Sequence, residues 1–483
     1  MSAIDNLEPK SVWKQFDEIR KIPRCSKHEE KIRKYVIDFA KKNNFKFKVD
    51  KPGNVVISKP ASIGMEGKPT VILQGHMDMV CEKNSEVKFD FTKDPIQLKL
   101  NGDILSADGT TLGADNGIGL AISLAILEDK TIKHGPLEAL YTIDEETGLT
   151  GAFALESNML SGKILLNLDS EDFGVITVGC AGGGDSKIVL PIKTQPIDGD
   201  LDSIIVKVSG LRGGHSGVDI HEQRGNAVKI LARMLWKASD DNEFYINDLA
   251  GGDKHNAIPR EAIAKISINK NEKDKFINTL KAEEKDILEE IKPIDPNFKT
   301  EVQKSQDFKT TLTKDSQNKI LDLLHGLPHG VDKMSYDIPN LVETSTNLAK
   351  VSFNENNALI SLSTRSSIKS ALQNLRDRIH AISDLSGAKV TEESAYPGWK
   401  PNLKSNILKL SKNIFKDMYG KEPKVEAIHA GLECGIIGEK FPGMDMISIG
   451  PTIKYPHSPE EQVHVSTVGK FYKYVLKILE NVY

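Results

Sequence analysis

Apolar and polar positions alternate along the first part of the chain in two distinct rhythms. Apolar residues recur at helical spacing in "SVWKQFDEIRKI" and "KHEEKIRKYVIDFAKKNNF", whereas "FKFKVD" and "NVVISKP" alternate as half-buried strands do. The short apolar runs "PTVILQG", "LEALYTI" and "KILLNL" are typical of buried strands, and "NGIGLAISLAILED" predicts a strongly apolar helix. Alternation of strands and helices predicts an α/β fold.

Each of the three apolar strands runs directly into polar residues. Neighbouring strands of an open α/β sheet deliver the residues after their carboxyl ends to one shared crevice, which is the usual ligand site. The strands end in "GHMD", "DEETG" and "LDSED", and a fourth run, "MDMISIG" (444–450), leads into "PTIKYPHSP". "LGADNGIG" adds an aspartate at the start of the apolar helix. The pattern predicts that these segments bring together His76, Asp78, Asp115, Glu145, Glu146, Asp169 and His457.

A group of five carboxylates needs positive charge, because like charges at short range repel one another. Imidazole and carboxylate ligands without thiolate favour zinc, with cobalt and manganese as alternatives, over calcium. Two such ions about 3.5–4 Å apart can acidify a water molecule and polarise a carbonyl group. The sequence therefore predicts a hydrolytic site with two divalent metal ions per chain.

Spacing suggests roles for some of these residues. His76 and Asp78 are two apart and share a strand face, so Asp78 can orient the imidazole. Glu145 and Glu146 are adjacent and point oppositely if they continue a strand, so one can bind metal while the other acts as general base. Spacing leaves open which is which. Asp115 suits a bridging ligand, although alone it would equally suit a helix N-cap.

Length, charge and cysteine spacing narrow the class of protein. A chain of 483 residues predicts two domains, or one large domain with an insertion. A net charge of -4 indicates neither a nucleic-acid partner nor an anionic membrane surface. The absence of a leader-like start and of a membrane-length apolar run predicts a cytoplasmic location. The cysteines include no CxxC pair, so we expect all four to be reduced: Cys25, Cys81, Cys180 and Cys434.

Six motifs together resemble one known family. "GHMDMV", "ADGTTLGADNGIG", "DEETGLTGA", "LLNLDSED", "GGHSGVDIHEQRGNA" and "IGPTIKYPHSPEE" resemble the aminoacyl-histidine (Xaa-His) dipeptidases, which belong with the carnosinases, aminoacylases and glutamate carboxypeptidases. The motifs extend from residue 76 to residue 457. The resemblance implies a zinc-peptidase-like α/β catalytic domain, with a mixed central sheet flanked by helices and an inserted α+β lid domain.

The resemblance also assigns the roles that spacing leaves open. It implies that His76 and Asp169 bind one metal ion, that Glu146 and His457 bind the other, and that Asp115 bridges them. Glu145 would then be the general base, and Asp78 would orient His76. Every one of these positions carries the residue type that the family requires.

An inserted lid requires two boundaries. "GCAGGGD" (179–185) and "AYPGWKP" (395–401) are suitable, which predicts a catalytic domain in residues 1–184 and 397–483 and a lid and dimerisation domain in residues 185–396. The glycines of the first boundary lead into a strand rather than a helix, so they favour a hinge over a phosphate-binding loop. The length of the insertion favours the double-lobed lid of the dipeptidases.

Three residues of the predicted lid are candidates for substrate binding. His215, in the glycine-flanked "GGHSG", would contact the substrate carbonyl as an oxyanion partner, in some relatives from the neighbouring chain of a homodimer. Arg365 in "STRSS" would bind the terminal carboxylate of the substrate, for which a bidentate guanidinium is well suited. Asn256 in "NAIP" is a weaker candidate for the same task.

The sequence therefore predicts a metal-dependent dipeptidase that hydrolyses Xaa-His and carnosine-like dipeptides. In this interpretation Glu145 deprotonates a water molecule that attacks the peptide carbonyl, and then returns the proton to the leaving amine. The nearer alternative is an N-acyl amino acid deacylase or a carboxypeptidase with the same metals. A non-catalytic peptide or metal binder is the alternative from another class, although the complete set of site residues argues against it.

Overall fold

The computed structural model describes residues 3–197 and 199–483. These residues form two compact units. The first unit contains residues 3–180 together with Trp399–Ala427 and Leu432–Tyr483, and the second contains Ala181–Gly398, Asp198 apart, and Ile428–Gly431. The sequence placed the two crossings at 184/185 and 396/397. It did not anticipate that the short segment Ile428–Gly431 returns to the second unit.

The first unit is built on a mixed eight-stranded sheet. Its strands are, in order of pairing, β1 (Lys46–Val49), β2 (Val55–Lys59), β6 (Leu137–Thr142), β3 (Val71–His76), β7 (Ile164–Asn167), β23 (Asp445–Ser448), β8 (Val175–Cys180) and β22 (Lys424–Ile428). The four central strands β6, β3, β7 and β23 are parallel to one another, whereas β1 with β2, β2 with β6 and β23 with β8 are antiparallel. Every residue of β3 and β6 is buried, as expected of central parallel strands.

Helices and a smaller sheet complete the first unit. The helices are α1 (Lys10–Ile19), α2 (Glu30–Lys42), α3 (Ala114–Glu128), α4 (Glu145–Gly148), α5 (Thr150–Ala154), α10 (Asn406–Tyr419), α11 (Glu433–Lys440) and α12 (Val465–Asn481). The smaller sheet pairs β24 (Ile453–Lys454), β25 (Gln462–His464), β5 (Ile104–Ala107) and β4 (Leu98–Asn101) in that order. Helix α3 is buried over most of its length, which explains its apolar sequence.

The second unit is built on an antiparallel nine-stranded sheet with helices, in agreement with the expected α+β character. The strands are β16 (Lys299–Lys304), β11 (Leu201–Ser209), β15 (Ala262–Asn269), β13 (Phe244–Gly251), β19 (Val342–Phe353), β20 (Asn357–Ser366), β9 (Gly182–Pro191) and β21 (Lys389–Glu392), with β18 (Gly330–Met334) paired to β19. Two short pairs join β10 (Thr194–Pro196) to β17 (Thr310–Leu312) and β12 (Gly214–His215) to β14 (Ala257–Ile258).

Four α-helices of the second unit share a core with this sheet. They are α6 (Ala227–Ala238), α7 (Lys273–Ile291), α8 (Lys314–Gly326) and α9 (Lys369–Leu385), and a short 3-10 helix covers Ile220–Glu222. Asn226 caps α6 by accepting the N–H groups of Val228 and Lys229, which explains where that helix begins. Among the described residues of both units, no helix is long and apolar enough to cross a membrane.

The glycines at the first crossing have a packing role. Gly182 and Gly183 lie in β9, and a Cβ atom there would come within 2.4 Å of the amide nitrogen of Gly398 and 2.5 Å of the Tyr396 hydroxyl, respectively. Glycine therefore permits a close approach at these positions, and the hinge that the sequence suggested at this boundary stays a prediction.

The expectation that all four cysteines are reduced is wrong for one pair. Cys25 and Cys81 form a disulfide with their Cα atoms 5.7 Å apart. An isolated β-bridge between Cys25 and Met79 aligns the two segments and brings the sulfur atoms together, although 56 positions separate the cysteines in sequence. Cys180 and Cys434 are buried and free.

Candidate active site

The parallel strands of the first unit place the predicted site residues at one edge of the sheet. β6, β3 and β7 are neighbours, so their carboxyl ends meet there. His76 ends β3, and Asp169 follows the last residue of β7 by two positions. Asp115 lies in the first turn of α3 with non-helical backbone angles, and His457 lies in the loop after β24.

Asp115 lies between the two histidines. One of its carboxylate oxygens, Oδ1, is 3.1 Å from Nε2 of His76, and the other, Oδ2, is 3.1 Å from Nε2 of His457. Nε2 of His76 is also 3.4 Å from Asp169, and Nε2 of His457 is 3.0 Å from Glu146. The structure thus forms two groups that share one carboxylate.

These two groups fit a pair of divalent cations. Each consists of one imidazole and two carboxylates whose ligand atoms all lie within 4.8 Å of one another. The buried oxygens Oε1 of Glu146 and Oδ1 of Asp169 have no hydrogen-bond partner. Buried polar atoms normally have a partner, and nitrogen and oxygen donors in this number suit zinc, cobalt or manganese.

The local electrostatics agree with a site for cations. Burial opposes protonation of His76, but the neighbouring carboxylates of Asp169 and Asp115 outweigh it and raise the His76 pKa well above its ordinary value. Hydrogen bonds to Asp115 and Glu146 raise the pKa of His457 to about 11. Both shifts report strong negative potential, which bound cations would neutralise.

Glu145 and Glu146 lie in the first turn of α4 and not in a strand. The prediction that they point to opposite faces of a strand is therefore wrong in its geometry, because the chain turns into a helix directly after Asp144. Both residues lie close to His76. Burial, together with the charges of Asp169 and Glu433, raises the pKa of Glu145 well above its ordinary value, although the charge of His76 opposes this.

Asp78 connects the two parts of the site. Its Oδ1 lies 3.3 Å from Nδ1 of His76 and accepts the main-chain N–H of Glu145 at 3.1 Å. Its Oδ2 accepts the N–H of Glu146 at 3.2 Å and the hydroxyl of Ser26 at 2.7 Å. Burial opposes the charge of Asp78, but these interactions outweigh it and lower its pKa to about 2.

Residues 72–481 match the peptidase family M20/M25/M40. The chain belongs to this family. It is 39% identical over 482 residues to the cytosol non-specific dipeptidase of Escherichia coli (strain K12), with 100% of this chain and 99% of the relative covered. The peptidase is also similar to the crystal structure of the aminoacylhistidine dipeptidase from Vibrio alginolyticus, with a TM-score of 0.94 at 40% identity and coverage of 100% and 98%.

A more distant structure, the aminopeptidase PepT from Bacillus cereus, matches with a TM-score of 0.56 at 18% identity, and 99% of each chain is covered. At that identity the likeness shows the fold alone. The family match and the Vibrio structure together confirm the predicted fold class and the prediction of a peptidase.

Arg24 was not identified from the sequence, and its side chain contacts the main chain of the segment that carries Asp78. Its side chain is 2% exposed. The guanidinium donates to the main-chain oxygens of Met77 at 3.1 Å and Asp78 at 2.6 Å, and also to that of Gly113. Arg24 therefore joins the segment after β3 to the segment before α3, and its positive charge lies among carboxylates. The sequence offered no signal, because an isolated arginine before a cysteine has no distinctive pattern.

Glu433 was also missed, and it anchors a polar network within the sheet. Its Oε2 accepts hydrogen bonds from Gln74 at 2.6 Å and Thr142 at 2.7 Å. Gln74 in turn accepts from Asn167 at 2.5 Å. Burial raises the pKa of Glu433 to about 7. Gln74 and Asn167 offered a signal, since each is a polar residue that directly follows an apolar run within a strand.

The three predicted substrate-binding residues lie in the second unit, and each has a different local environment. His215 lies in β12, where its Nδ1 accepts the N–H groups of Gly217 at 3.1 Å and Val218 at 3.0 Å. Arg365 lies in β20 and is almost completely buried. Asn256 is exposed, and its main-chain oxygen accepts the N–H of Ser216 at 2.8 Å.

Proposed function

We propose that this peptidase is a dinuclear metal-dependent dipeptidase that hydrolyses Xaa-His and related dipeptides. The observation that carries the proposal is the position of Asp115, whose two oxygens lie at equal distances from His76 and His457. A shared carboxylate reduces the repulsion between two divalent cations held close together. The similarity to a dipeptidase and to an aminoacylhistidine dipeptidase supports the substrate class.

The proposed ligands are His76 and Asp169 for one ion and Glu146 and His457 for the other, with Asp115 shared. Zinc suits this nitrogen and oxygen set best, with cobalt and manganese as alternatives. When bound, two such ions lower the pKa of water and polarise a carbonyl group.

Glu145 is the proposed general base. It lies beside His76 and Glu146 but is not one of the proposed metal ligands, so its carboxylate can accept a proton from water and return it to the leaving amine. Asp78 holds the imidazole of His76 in place and also fixes the turn that carries Glu145, through the main-chain N–H that it accepts.

His215 is the proposed donor to the carbonyl oxygen of the substrate. Because Nδ1 accepts two main-chain N–H groups, the proton of the neutral ring is on Nε2, which can donate. Burial and the charge of Arg365 lower the pKa of His215, so the ring is neutral at physiological pH. Arg365 would bind the terminal carboxylate, and Asn256 is retained as a weaker candidate for substrate contact.

Location and assembly belong to the same proposal. We place the enzyme in the cytoplasm, as the name of the Escherichia coli relative suggests for that protein. We also propose a homodimer formed through the second unit, residues 185–396 of the sequence prediction, acting as a lid. Sedimentation of the purified protein would show twice the mass of one chain, and a monomer at all concentrations would contradict the assembly.

A substrate panel on metal-stripped protein tests the function. The protein is reconstituted with zinc, manganese or cobalt and supplied with Ala-His, β-alanyl-histidine and N-acetyl amino acids. We expect release of free histidine from Ala-His and no deacylation. Preferential cleavage of N-acetyl amino acids would instead indicate the deacylase alternative.

A single substitution tests the mechanism. Glu145→Gln keeps the size of the side chain but removes the base, so we expect a loss of activity of at least about 100-fold with metal content unchanged. Glu66→Gln changes an exposed glutamate and is the matched control. Hydrolysis at the parental rate by Glu145→Gln would contradict the assignment.

A further inference from the structure

Arg365 is buried in the second unit with part of its guanidinium unused. The residue is 7% exposed. Its Nη1 donates to the hydroxyl of Tyr396 at 3.0 Å, whereas its Nε has no hydrogen-bond partner. A buried arginine normally uses most of its donors, because an unpaired buried polar group is costly. This geometry therefore leaves a directed donor available to a ligand.

His429 lies beside Arg365 and also has an unused nitrogen. It belongs to the short segment that returns to the second unit, and it is 8% exposed. Its Nε2 is 2.7 Å from the hydroxyl of Ser345, and its Nδ1 makes no hydrogen bond of normal geometry, although the main-chain oxygen of Val342 lies near enough to interact with the ring. Ser345 pairs directly with Arg365 across β19 and β20, a relationship that places their Cβ atoms about 4.5–5.5 Å apart. Ser345 therefore holds the imidazole close to the guanidinium.

The loop that carries His215 lies over the same group. A Cβ atom at Gly217 would lie 2.3 Å from the main-chain oxygen of His429, 3.1 Å from Cε1 of His215 and 3.2 Å from Nε of Arg365. Glycine at this position thus keeps space where the side chains of His215 and Arg365 approach the main chain of His429. The second unit alone brings together a guanidinium, two imidazoles and a phenol.

The imidazole of His429 is uncharged, so it suits a hydrogen-bond donor to a carboxylate rather than a second positive charge. Burial and the adjacent positive charge of Arg365 lower its pKa to about 3. The ring is therefore neutral and does not add to the charge of Arg365. When Ser345 donates to Nε2, the ring proton is on Nδ1, which is the unpaired atom.

We infer that His429 and Tyr396 complete the binding site for the terminal carboxylate of the substrate around Arg365. Tyr396 fixes the guanidinium by accepting from Nη1, and the carboxylate accepts from Nε of Arg365 and Nδ1 of His429. This inference rests on the proposed function and extends it, because it names two further residues that determine specificity for a free carboxylate. Neither residue was found by sequence reasoning.

Equilibrium binding tests the inference without turnover. In metal-loaded Glu145→Gln protein, calorimetry measures the dissociation constants of a dipeptide and of the same dipeptide with an amidated carboxyl end. We expect the free acid to bind more tightly. His429→Gln should weaken acid binding by about 10- to 100-fold, since a hydrogen bond to a charged group is lost or lengthened, and leave amide binding unchanged.

Tyr396→Phe should weaken acid binding by about 2- to 10-fold, because the variant loses the hydroxyl that orients the guanidinium but keeps both proposed contacts to the carboxylate itself. In the otherwise unmodified enzyme the same variants should raise KM for the acid with little change in kcat.

Tyr245→Phe also loses one hydroxyl hydrogen bond, to Glu243, and is the matched control with parental binding. If His429→Gln does not fold, Ser345→Ala replaces it, because it releases the imidazole from its partner.

Equal weakening of acid and amide, or no weakening of either, would overturn the inference. So would equal affinity of the parent protein for acid and amide. These results are distinct from failure of the proposed function, which would be the absence of dipeptide hydrolysis by the unsubstituted enzyme with zinc, manganese and cobalt.

Discussion

Glu461 accepts the main-chain N–H of Asp115 at 3.1 Å, and so fixes the residue that the two histidines share. The same carboxylate accepts three further N–H groups at 2.7–2.8 Å, those of Leu112, Gly113 and Ala114. Glu461 follows His457 by four positions in the same loop. One buried side chain, 2% exposed, therefore sets the position of the proposed bridging ligand relative to one of the histidines.

Replacement of Glu461 should damage metal binding more than it damages the fold. Glu461→Gln keeps the size but offers only one oxygen to the four N–H groups. Two of the four N–H groups lose their acceptor, and hydrogen bonds to a charged group contribute about 1.5–3 kcal/mol each, so we expect a loss of about 3–6 kcal/mol in unfolding free energy. We also expect less than two zinc ions per chain by elemental analysis after gel filtration.

The neighbouring Glu460→Gln is the control, because Glu460 is exposed and adjacent in sequence. It should retain two ions and parental stability. Full metal content in Glu461→Gln would show that the loop of Asp115 is held by other contacts.

Removal of metal should destabilise the protein measurably. The carboxylates of the site repel one another when no cation is bound, and a ligand that binds only the folded state stabilises it by RT ln(1 + [L]/Kd). At a free metal concentration 100 times Kd this is about 2.7 kcal/mol. Scanning calorimetry should show a lower Tm after chelation and recovery on addition of zinc.

Potassium at the same ionic strength is the control, and it should not restore the Tm. An unchanged Tm after chelation, with elemental analysis showing that the metal has been removed, would contradict a pair of bound ions.

The residues at the carboxyl ends of the central strands could be predicted from the sequence, because the signal for them is local in the chain. Apolar runs mark the buried strands, and the polar residues that end them, such as His76 and Asp169, follow directly in the chain. The parallel order of the strands then follows from general rules for α/β folds.

What the sequence could not reveal depends on contacts between distant segments. Arg24, Glu433 and Glu461 are isolated charged residues without a repeating pattern, and only the fold brings them to the site. The turn of Glu145 into a helix was missed because the preceding strand pattern suggested that the chain continued extended. His429 was missed because it joins the second unit from a segment of the first.

The disulfide between Cys25 and Cys81 gives a prediction about stability. The disulfide closes a loop of 56 positions. For a loop of this length, the loss of chain entropy in the unfolded state predicts a contribution of about 4 kcal/mol to the free energy of unfolding. The disulfide also joins the segment of Ser26, which donates to Asp78, to the segment that follows Asp78. We expect dithiothreitol to lower the urea midpoint of the parent protein.

The double variant Cys25→Ser/Cys81→Ser should unfold at the lowered midpoint and should not respond to dithiothreitol. This response separates loss of the cross-link from general effects of the reductant. Equal midpoints for the oxidised parent protein and the variant would show that the cross-link contributes nothing to stability.

The pKa of His429 predicts how stability depends on pH. The folded-state pKa is about 3, whereas an unfolded histidine titrates near 6.5. Between these values the unfolded chain binds a proton that the folded chain does not, so this group lowers stability as pH falls below about 6.5. The loss at pH 5 is about 2 kcal/mol, and it requires only that the folded pKa lies well below 5.

Urea titrations at pH 7, 6 and 5 check this by comparing the parent protein with His429→Gln. The charged and titratable neighbours of the ring, Arg365, His215 and His221, are present in both proteins, so their contributions largely cancel in the difference. The parent should lose about 2 kcal/mol more than the variant between pH 7 and pH 5. Parallel curves would mean that His429 takes up its proton in the folded state, and the neutral donor proposed for the carboxylate site would then be excluded at acidic pH.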